Sequence, residues 1–535
     1  MAIALAAPWR AAAADGKSQR AATHGAPAAE PPPETAKPRA RTLDVNEYRV
    51  VGARHLSEAE LEVALNPFLG PGRTLEDVEK ARAALEKAYS DKGYQSVAVA
   101  IPQQTVRDGV VTLSVTEGAV GRLRVKGARW FLPSDVKKQA PSVAEGTVPN
   151  FNDIVRDIVA LNQLPDRRVT PALRAGVRPG TVDVDLVVQD TLPLHGSLEV
   201  NNRYSGDTTR TRLNGSLRYD NLWQLGHSLS FSFQLAPKRL NDGKVFSGSY
   251  VARFERVPWL SFALNGLLQD SDISTLGSIA VRGRGRVFGA RANFTLPGTT
   301  GFFHTASAGI DYKRFEEGIS LGSDTLATPI TYWPVTAQYG ATWPRESSQT
   351  QLSTSAVFNL RGLSSGTEEF DAKRFKASGG FLYFRGEVSR TEDFRGVQLF
   401  AKLNGQYSPD PLVGSEQLTA GGSESVRGYV ESQGAGDYGG LVSLELRSPS
   451  LAKWFGKRTL NEWRLHGFVE GGWVGIRESL PDQKSWYRLW STGGGTTVRL
   501  LGHLNGSLDI GVPLRAEGGT RAYRPRVHFR LWSEF

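Results

Sequence analysis

The chain lacks cysteine, and its one methionine is Met1. Without cysteine there is no disulfide, no thiolate metal site and no cysteine nucleophile. The eight histidines are scattered, without an HExxH or paired spacing, which argues against a histidine metal site. A GxxxxGK[ST] nucleotide-binding segment is also missing. From these absences we expect neither a metal nor a cofactor.

Long apolar runs are scarce as well. Mean hydropathy is −0.31, and after the first few residues no apolar run reaches the length of about 18 residues that a transmembrane helix needs. Barrel strands remain compatible with this composition, because they alternate apolar and polar residues and average to a polar score. The net charge of +10 suggests an anionic neighbour, either lipid headgroups or a polymer, without choosing between them.

The first 42 residues predict processing and linker segments. Residues 1–14 resemble the end of a secretory signal, because an apolar stretch precedes small residues suited to cleavage near Ala13 or Ala14. A disordered Ala-rich tail is the alternative. Residues 15–42 contain five prolines and no aromatic residue, which predicts an extended linker.

Residues 43–118 and 119–190 predict two small α+β domains with the same element order. Each reads strand, helix, helix, strand, strand, over a length that allows one small core. In the first domain the predicted elements are strand 48–56, a helix from Ser57 to Leu65, helix 74–89 and strands 96–101 and 109–115. In the second they are strand 121–127, helices near 133–140 and 151–163, and strands 167–176 and 181–190.

Two local signals support the helices of the first domain. Ser57 and Glu60 have the spacing of a capping box, and Gly93 stands where a C-terminal cap glycine is expected. The pattern alone is equally compatible with generic α+β domains, since architecture does not determine purpose.

After residue 190 the helical signals stop. Glycine (58 residues) and aromatics (10%) are abundant, and segments such as 228–235, 397–404 and 504–512 alternate apolar with polar residues, Phe400 being an exception. A period of two with one apolar face predicts strands. Residues 191–535 are long enough for an all-β transmembrane barrel of about 16 antiparallel strands, lipid outside and water inside.

The last strand carries a further signal. In VHFRLWSEF, apolar residues lie on one face and the chain ends in Phe535. A terminal phenylalanine on an alternating strand resembles the sorting signal of bacterial outer-membrane barrels. We therefore expect Phe535 to act in outer-membrane sorting.

Three motifs resemble those of two-partner secretion transporters of the TpsB type, which carry POTRA domains before an outer-membrane barrel. The residues similar to the first POTRA domain are Tyr89, Gly93, Tyr94, Ile101, Pro102, Gln103, Gln104, Gly109, Glu117 and Gly118. The residues similar to the VRGY/F motif of the sixth outer loop in the outer-membrane insertase superfamily are Gly421, Gly422, Val426, Arg427, Gly428 and Tyr429. Phe468, Glu470 and Gly472 are similar to that superfamily's F-x-D-x-G strand motif, with glutamate in place of aspartate.

The resemblance implies a site inside the barrel. A long loop that folds inward would present Arg427 to a carboxylate on the wall, for which Glu470 is the best candidate. Gly428 would permit close approach to the wall and Tyr429 would stack there. Substitution of Arg427 or of Glu470 is then expected to impair secretion to a similar degree.

The resemblance also implies a partner, a secreted TpsA-like exoprotein with a β-helical fold. A small sheet with an exposed edge can add a strand from an unfolded client, and Ile101, Pro102, Gln103 and Gln104 mark the expected client-binding region. The expected protein is a monomeric pore in the bacterial outer membrane, with its POTRA domains in the periplasm. It contacts lipid but no nucleic acid.

Alternative functions remain open at this point. An assembly factor that inserts other barrels is the main alternative, although it would typically carry more than two POTRA domains. A passive porin would leave residues 43–190 unexplained. Gly362-Leu-Ser364-Ser-Gly366 fits the hydrolase pattern GxSxG, but it lies in a polar stretch beside Glu368 and Glu369, so we expect no enzyme.

Overall fold

The structure is a computed structural model that describes residues 42–535 except 207, 255, 277–278, 317, 322–323, 328, 456–458 and 482, and except the side chains of 271–276, 279–283, 318–321 and 324–327. The predicted signal remnant and all but the last residue of the predicted linker lie outside the described residues. The chain divides into two compact units, residues up to 88 with 99–115, and residues 89–98 with 116–535. We describe each by itself.

The first α+β domain confirms the predicted helices. Ser57 is the N-cap of the first helix, and its backbone N–H donates to the Glu60 carboxylate at 2.8 Å as part of the capping box. The predicted strand 48–56 is wrong in length, because it ends at Val51 before Gly52 at φ +93°. The elements are β1 (Leu43–Val45), β2 (Glu47–Val51), α1 (Glu58–Leu65), β3 (Gly70–Arg73), α2 (Leu75–Asp91), β4 (Val97–Ala100) and β5 (Val110–Glu117).

Two sheets build this domain. β2, β5 and β4 form a three-stranded sheet in that order, with β2 parallel to β5, while β1 and β3 form a short ribbon that the sequence did not predict. Val45, Val78 and Val111 meet in its core. The β1–β3 ribbon was missed because strands of three and four residues are too short to show a period-two pattern.

The second α+β domain has the predicted order of strand, helix, helix, strand, strand, without a counterpart of the β1–β3 ribbon among its described residues. Its sheet runs β6-β8-β7, and β6 is parallel to β8. The carboxylate of Asp185 receives hydrogen bonds from Lys126 and Arg124 across this sheet, which lowers the pKa of Asp185. The elements are β6 (Ala119–Lys126), α3 (Pro133–Lys138), α4 (Phe151–Leu161), β7 (Arg167–Ala175) and β8 (Thr181–Asp190). Within the described residues no helix is long and apolar enough to cross a membrane.

The remaining described residues form a closed barrel of 16 antiparallel strands. One strand, β16, is interrupted at Trp333, and both of its parts pair with β15. The barrel strands are β9 (Leu194–Asn201), β10 (Arg212–Leu222), β11 (His227–Leu235), β12 (Lys244–Arg253), β13 (Leu260–Leu276), β14 (Ile279–Thr295), β15 (Phe303–Glu316), β16 (Ile330–Tyr332 and Pro334–Pro344), β17 (Ser348–Asn359), β18 (Leu382–Phe394), β19 (Val397–Tyr407), β20 (Tyr438–Arg447), β21 (Leu460–Gly475), β22 (Trp486–Leu500), β23 (Leu504–Pro513) and β24 (Arg526–Glu534).

Shorter elements lie between the barrel strands. A hairpin follows β15, a helix follows β17 and a second hairpin lies between β19 and β20. They are Gly318–Leu321 with Asp324–Ala327, α5 (Thr367–Lys373), and Leu418–Ala420 with Gly434–Gly436.

The two faces of the barrel differ as the alternation predicts. Along β11, Leu229 and Phe231 are exposed on the outer face. On the inner face Ser230 pairs with Ser249 of β12 through hydroxyls 2.7 Å apart. Phe400 departs from the alternation because it faces inward, where the Arg447 guanidinium lies 5.1 Å above its ring. An apolar exterior around a polar interior is the pattern of a membrane barrel.

The barrel closes between its last and first strands. β24 pairs antiparallel with β9, and Phe535 extends this seam by exchanging two backbone hydrogen bonds with Gly196, at 3.1 and 3.0 Å. The Phe535 ring covers Gly196, where any side chain would collide with it. The terminal phenylalanine therefore lies on the outside of the strand junction that completes the barrel.

Candidate functional site: an arginine held inside the barrel

The loop between β19 and β20, residues 408–437, reaches into the barrel and is called the inward loop below. The ribbon Leu418–Ala420 with Gly434–Gly436 leads to its tip. Gly421, Gly422 and Gly428 have φ of +102°, +107° and +101°, a conformation that favours glycine. These glycines let the chain turn sharply before the VRGY segment and within it.

Arg427 at the tip lies against the predicted carboxylate. Its Nε and Nη2 donate to Glu470 Oε1 at 2.9 and 2.6 Å, and its backbone N–H donates to Glu470 Oε2 at 2.7 Å. Arg427 is only 7% exposed and Glu470 only 3%. The structure thus brings the loop and β21 together through charge-assisted hydrogen bonds between buried groups.

Two further carboxylates contact the same guanidinium. Nη2 of Arg427 donates to Glu445 of β20 at 2.7 Å, and Nη1 donates to Asp509 of β23 at 3.3 Å. His466 of β21 lies 2.5 Å from Asp509. The arginine therefore joins three inner-face carboxylates, from β20, β21 and β23, and two of these come in addition to the predicted partner Glu470.

The wall residues around Glu470 shape a seat for the arginine. The Phe468 ring lies beneath the Arg427 guanidinium, whose central carbon is 3.5 Å from the ring centroid. At Gly472 a Cβ atom would come within 2.3 Å of the Gly440 carbonyl oxygen on β20. The motif thus supplies a carboxylate, an aromatic floor and a glycine where the neighbouring strand is close.

Gly428 makes the close approach expected of it. A Cβ atom there would lie 3.0 Å from the backbone nitrogen of Pro513 on β23. The Gly428 N–H points at the ring nitrogen of His528 on β24, 3.3 Å away. The loop backbone therefore lies directly on the wall formed by the last two strands.

Tyr429 packs against the wall through its ring and is also held there through its hydroxyl. Its hydroxyl donates to the carbonyl of Arg515 at 2.8 Å and accepts from the N–H of Trp490 at 3.3 Å. Its ring packs with Val426 and other buried apolar residues. Within the VRGY segment it is the Arg427 guanidinium that stacks on an aromatic ring of the wall, that of Phe468.

A second set of contacts holds the tip of the inward loop to the β9 side of the β24–β9 seam. Glu431 accepts from the backbone N–H and hydroxyl of Ser423 at 3.0 and 3.1 Å. Its own N–H donates to the Tyr204 carbonyl at 3.1 Å, and Arg203 pairs with Glu424 at 2.6 Å. These contacts join the loop to the segment between β9 and β10, and sequence reasoning missed them.

The base of the inward loop is anchored through Glu416. This carboxylate is buried, and it accepts from Tyr332 Oη at 2.6 Å, Tyr383 Oη at 2.7 Å and Lys313 Nζ at 2.7 Å. An apolar cluster that includes Phe370 surrounds the two tyrosines. The inward loop is therefore fixed at its base and at its tip.

The inner face below the loop borders a large cavity. Its volume is about 930 Å³, and its lining combines inner-face residues of β17 and β18, including Ser353 and Ser389, with Val159 of the second α+β domain. Val155 and Val159 are exposed on one face of α4. An apolar helix face thus stands beside the polar interior, at the barrel end where the chain enters β9.

Of the four residues of the expected client-binding region, two make contacts within the first domain and two are exposed. Ile101 packs beside the core of the first domain. The Gln104 amide is committed to β5, since it donates to the Thr112 carbonyl at 2.8 Å and accepts from the Thr112 N–H at 2.7 Å. Pro102 and Gln103 are exposed.

The serine of the hydrolase pattern, Ser364, is hydrogen-bonded within its own turn. Ser364 donates its hydroxyl hydrogen to the Leu360 carbonyl at 2.7 Å and accepts from Asn359 Nδ2 at 3.0 Å. Its position follows β17, and the bonds close a turn before α5. The serine is therefore part of a local turn.

Comparison with known proteins places this architecture among secretion transporters. A family model described as haemolysin secretion/activation protein ShlB/FhaC/HecB matches residues 180–498, and one described as POTRA domain, ShlB-type, matches residues 43–118. The outer membrane transporter CdiB of Escherichia coli is 25% identical over 90% of this chain and 81% of its own. The heme/hemopexin transporter protein HuxB of Haemophilus influenzae is 22% identical over 76% and 71%.

A solved structure shares the fold over nearly the whole length. CdiB from Escherichia coli aligns with a TM-score of 0.62 at 21% sequence identity, covering 94% of this chain and 92% of that chain.

Proposed function

The chain belongs to the ShlB/FhaC/HecB family of haemolysin secretion/activation proteins, and on that premise we propose how it handles its client. The barrel lies in the outer membrane with the POTRA domains in the periplasm, and it translocates an exoprotein to the cell surface. We propose that the client arrives unfolded, binds the POTRA domains and passes through the barrel interior when the inward loop shifts.

The Arg427 cluster carries this proposal. A loop held across the interior by one guanidinium and three carboxylates blocks the space that a polypeptide would need. Such a cluster holds the loop firmly, yet it leaves every strand-to-strand hydrogen bond intact when the loop moves. The loop can therefore leave the interior without opening the barrel wall.

Client capture is supported by two features of the POTRA domains. In the first domain β2 and β4 are the outer strands of their sheet, and an outer strand can pair with an extended peptide through backbone hydrogen bonds. Pro102 and Gln103 lie exposed just after β4. In the second domain, Val155 and Val159 offer apolar contact beside the barrel interior.

The energy for export is proposed to come from the client itself. No nucleotide-binding segment occurs in the sequence, so folding of a β-helical exoprotein outside the cell would draw the chain outward. We propose that the protein acts as a monomer and that it is not an enzyme. Assembly of other barrels, the alternative that the sequence left open, is not favoured by the family match or by the named relatives.

Deletion of the gene in its own bacterium tests the function. We expect loss of one large exoprotein from the surface and the medium, while the other outer-membrane barrels keep their normal amounts. A complementing plasmid that carries the intact chain should restore export. General loss of outer-membrane barrels, with no specific loss of an exoprotein, would contradict transport and indicate an assembly factor.

A further inference from the structure

Three side chains from separate segments converge where the second POTRA domain meets the barrel. Asp166 precedes β7, while His195 and Asp220 lie on β9 and β10. His195 Nε2 is 3.0 Å from an Asp166 carboxylate oxygen and 3.7 Å from Asp220 Oδ2. One atom from each residue lies within 4.8 Å of the other two.

The two carboxylates are buried and the imidazole is accessible. The Asp166 and Asp220 side chains are 5% and 9% exposed, and that of His195 is 34% exposed. Thr191 donates its hydroxyl hydrogen to Asp166 at 3.4 Å, and Arg218 Nε donates to Asp220 at 2.7 Å. Arg218 already offsets part of the charge of Asp220, and a cation between the three side chains would further offset the two buried carboxylates.

We propose that Asp166, His195 and Asp220 form a binding site for a divalent transition-metal ion of the Zn²⁺ class. Zn²⁺ binds imidazole nitrogen and carboxylate oxygen at about 2.0–2.2 Å in tetrahedral geometry, which separates neighbouring ligand atoms by about 3.4 Å. The separations of 3.0 and 3.7 Å bracket that value. The imidazole ligand disfavours Ca²⁺ and Mg²⁺, which prefer oxygen ligands alone.

The surroundings allow a complete coordination shell. The exposed side of His195 leaves room for a water as fourth ligand. Arg218 is half exposed, so its side chain can shift while Asp220 turns one oxygen toward the ion. The ligands come from positions 166, 195 and 220, which explains why the spacing of the histidines carried no signal of this site.

A bound ion would tie the second POTRA domain to the first barrel hairpin. Direct contacts already exist beside this hairpin, since the side chain of Gln224, in the turn after β10, accepts from the Leu132 N–H at 3.1 Å and donates to the Trp130 carbonyl at 3.2 Å. The ion would add a link that depends on metal supply. It would restrict movement of this domain against β9 and β10.

Calorimetric titration of the intact protein with ZnCl₂ tests the site. The chain is purified in detergent without a histidine tag and stripped with EDTA, and each variant is checked for heat-modifiable mobility. We expect one ion per chain for the wild type. His195→Ala should weaken binding at least about 100-fold, because loss of a ligand exceeds the 10–100-fold effect of losing an outer-shell partner.

Matched variants separate this site from incidental binding. His503→Ala, at an exposed histidine in the turn between β22 and β23, should bind Zn²⁺ as the wild type does, and CaCl₂ should give no saturable heat. If His195→Ala does not assemble, Asp166→Asn is titrated in its place and should also bind Zn²⁺ more weakly than the wild type. No saturable Zn²⁺ binding by the wild type, or wild-type affinity in Asp166→Asn, would overturn the proposal.

Discussion

Arg427 contacts three carboxylates, so its substitution should impair export more than substitution of any one of these carboxylates. Arg427→Ala leaves Glu470, Glu445 and Asp509 facing each other in a buried space, and breaking a buried pair costs about 3–5 kcal/mol. Glu470→Ala leaves the arginine with two carboxylates. We therefore expect Arg427→Ala to reduce export at least tenfold more than Glu470→Ala, measured as exported client per folded barrel.

Glu470→Asp is the matched control for this comparison. It restores the residue of the superfamily motif and keeps the charge, so export should stay near that of the wild type if the loop shifts by about one methylene. Equal losses in Arg427→Ala and Glu470→Ala would contradict the three-carboxylate cluster and favour a single pair.

Gly428 offers a steric test at the same tip. Gly428→Ala places a Cβ atom 3.0 Å from the Pro513 nitrogen at φ +101°, and a strained backbone of this kind costs about 1–3 kcal/mol. We expect the loop to leave its seat more often, so that single-channel recordings in planar lipid bilayers show more frequent large openings.

Gly414→Ala in the same loop is its control, because nothing lies within 4 Å of a Cβ atom there. This variant should conduct as the wild type does. Wild-type recordings from Gly428→Ala would show that contact with Pro513 does not hold the loop.

The sequence predicted part of this site for clear physical reasons. The motif around Arg427 and the carboxylate at Glu470 each lie in a short segment, so pattern alone revealed them. Glu445 and Asp509 occupy inner-face positions that alternation also predicts, but only barrel closure shows which inner faces meet Arg427. Glu431 and Tyr204 were missed because two loops far apart in sequence form that contact.

At the scale of elements, the period-two alternation was sufficient for the barrel strands. It identified segments 228–235, 397–404 and 504–512 within β11, β19 and β23. It could not predict the break at Trp333 in β16, nor the hairpin Leu418–Ala420 with Gly434–Gly436, because strands of three residues carry too few positions for a period.

The closing strand supplies a prediction at this scale. Deletion of Phe535 removes two backbone hydrogen bonds and the ring that covers Gly196 at the β24–β9 seam. We expect slow barrel assembly and a protease-sensitive periplasmic species, measured by heat-modifiable mobility after pulse labelling. Phe535→Tyr keeps a terminal ring and should assemble at the normal rate. Normal assembly after the deletion would show that Phe535 is dispensable.

For the whole molecule, the order of domains follows from composition and pattern, while the route of the client depends on three-dimensional assembly. Two α+β domains before an alternating segment were visible in sequence. The cavity that joins Val159 of α4 to inner-face residues such as Ser389 appears only in the folded chain. This juxtaposition adds support to the proposed passage through the barrel interior, which rests on the Arg427 cluster.

Cysteine cross-linking to a stalled client tests that passage most directly. Because the chain has no cysteine, Ser389→Cys on the inner face and Val388→Cys on the exposed outer face of β18 each carry one thiol for a photoreactive label. The client is stalled by fusion to a stable disulfide-bonded domain. The account predicts a client adduct from position 389 and none from position 388. An adduct from 388 without one from 389 would contradict it.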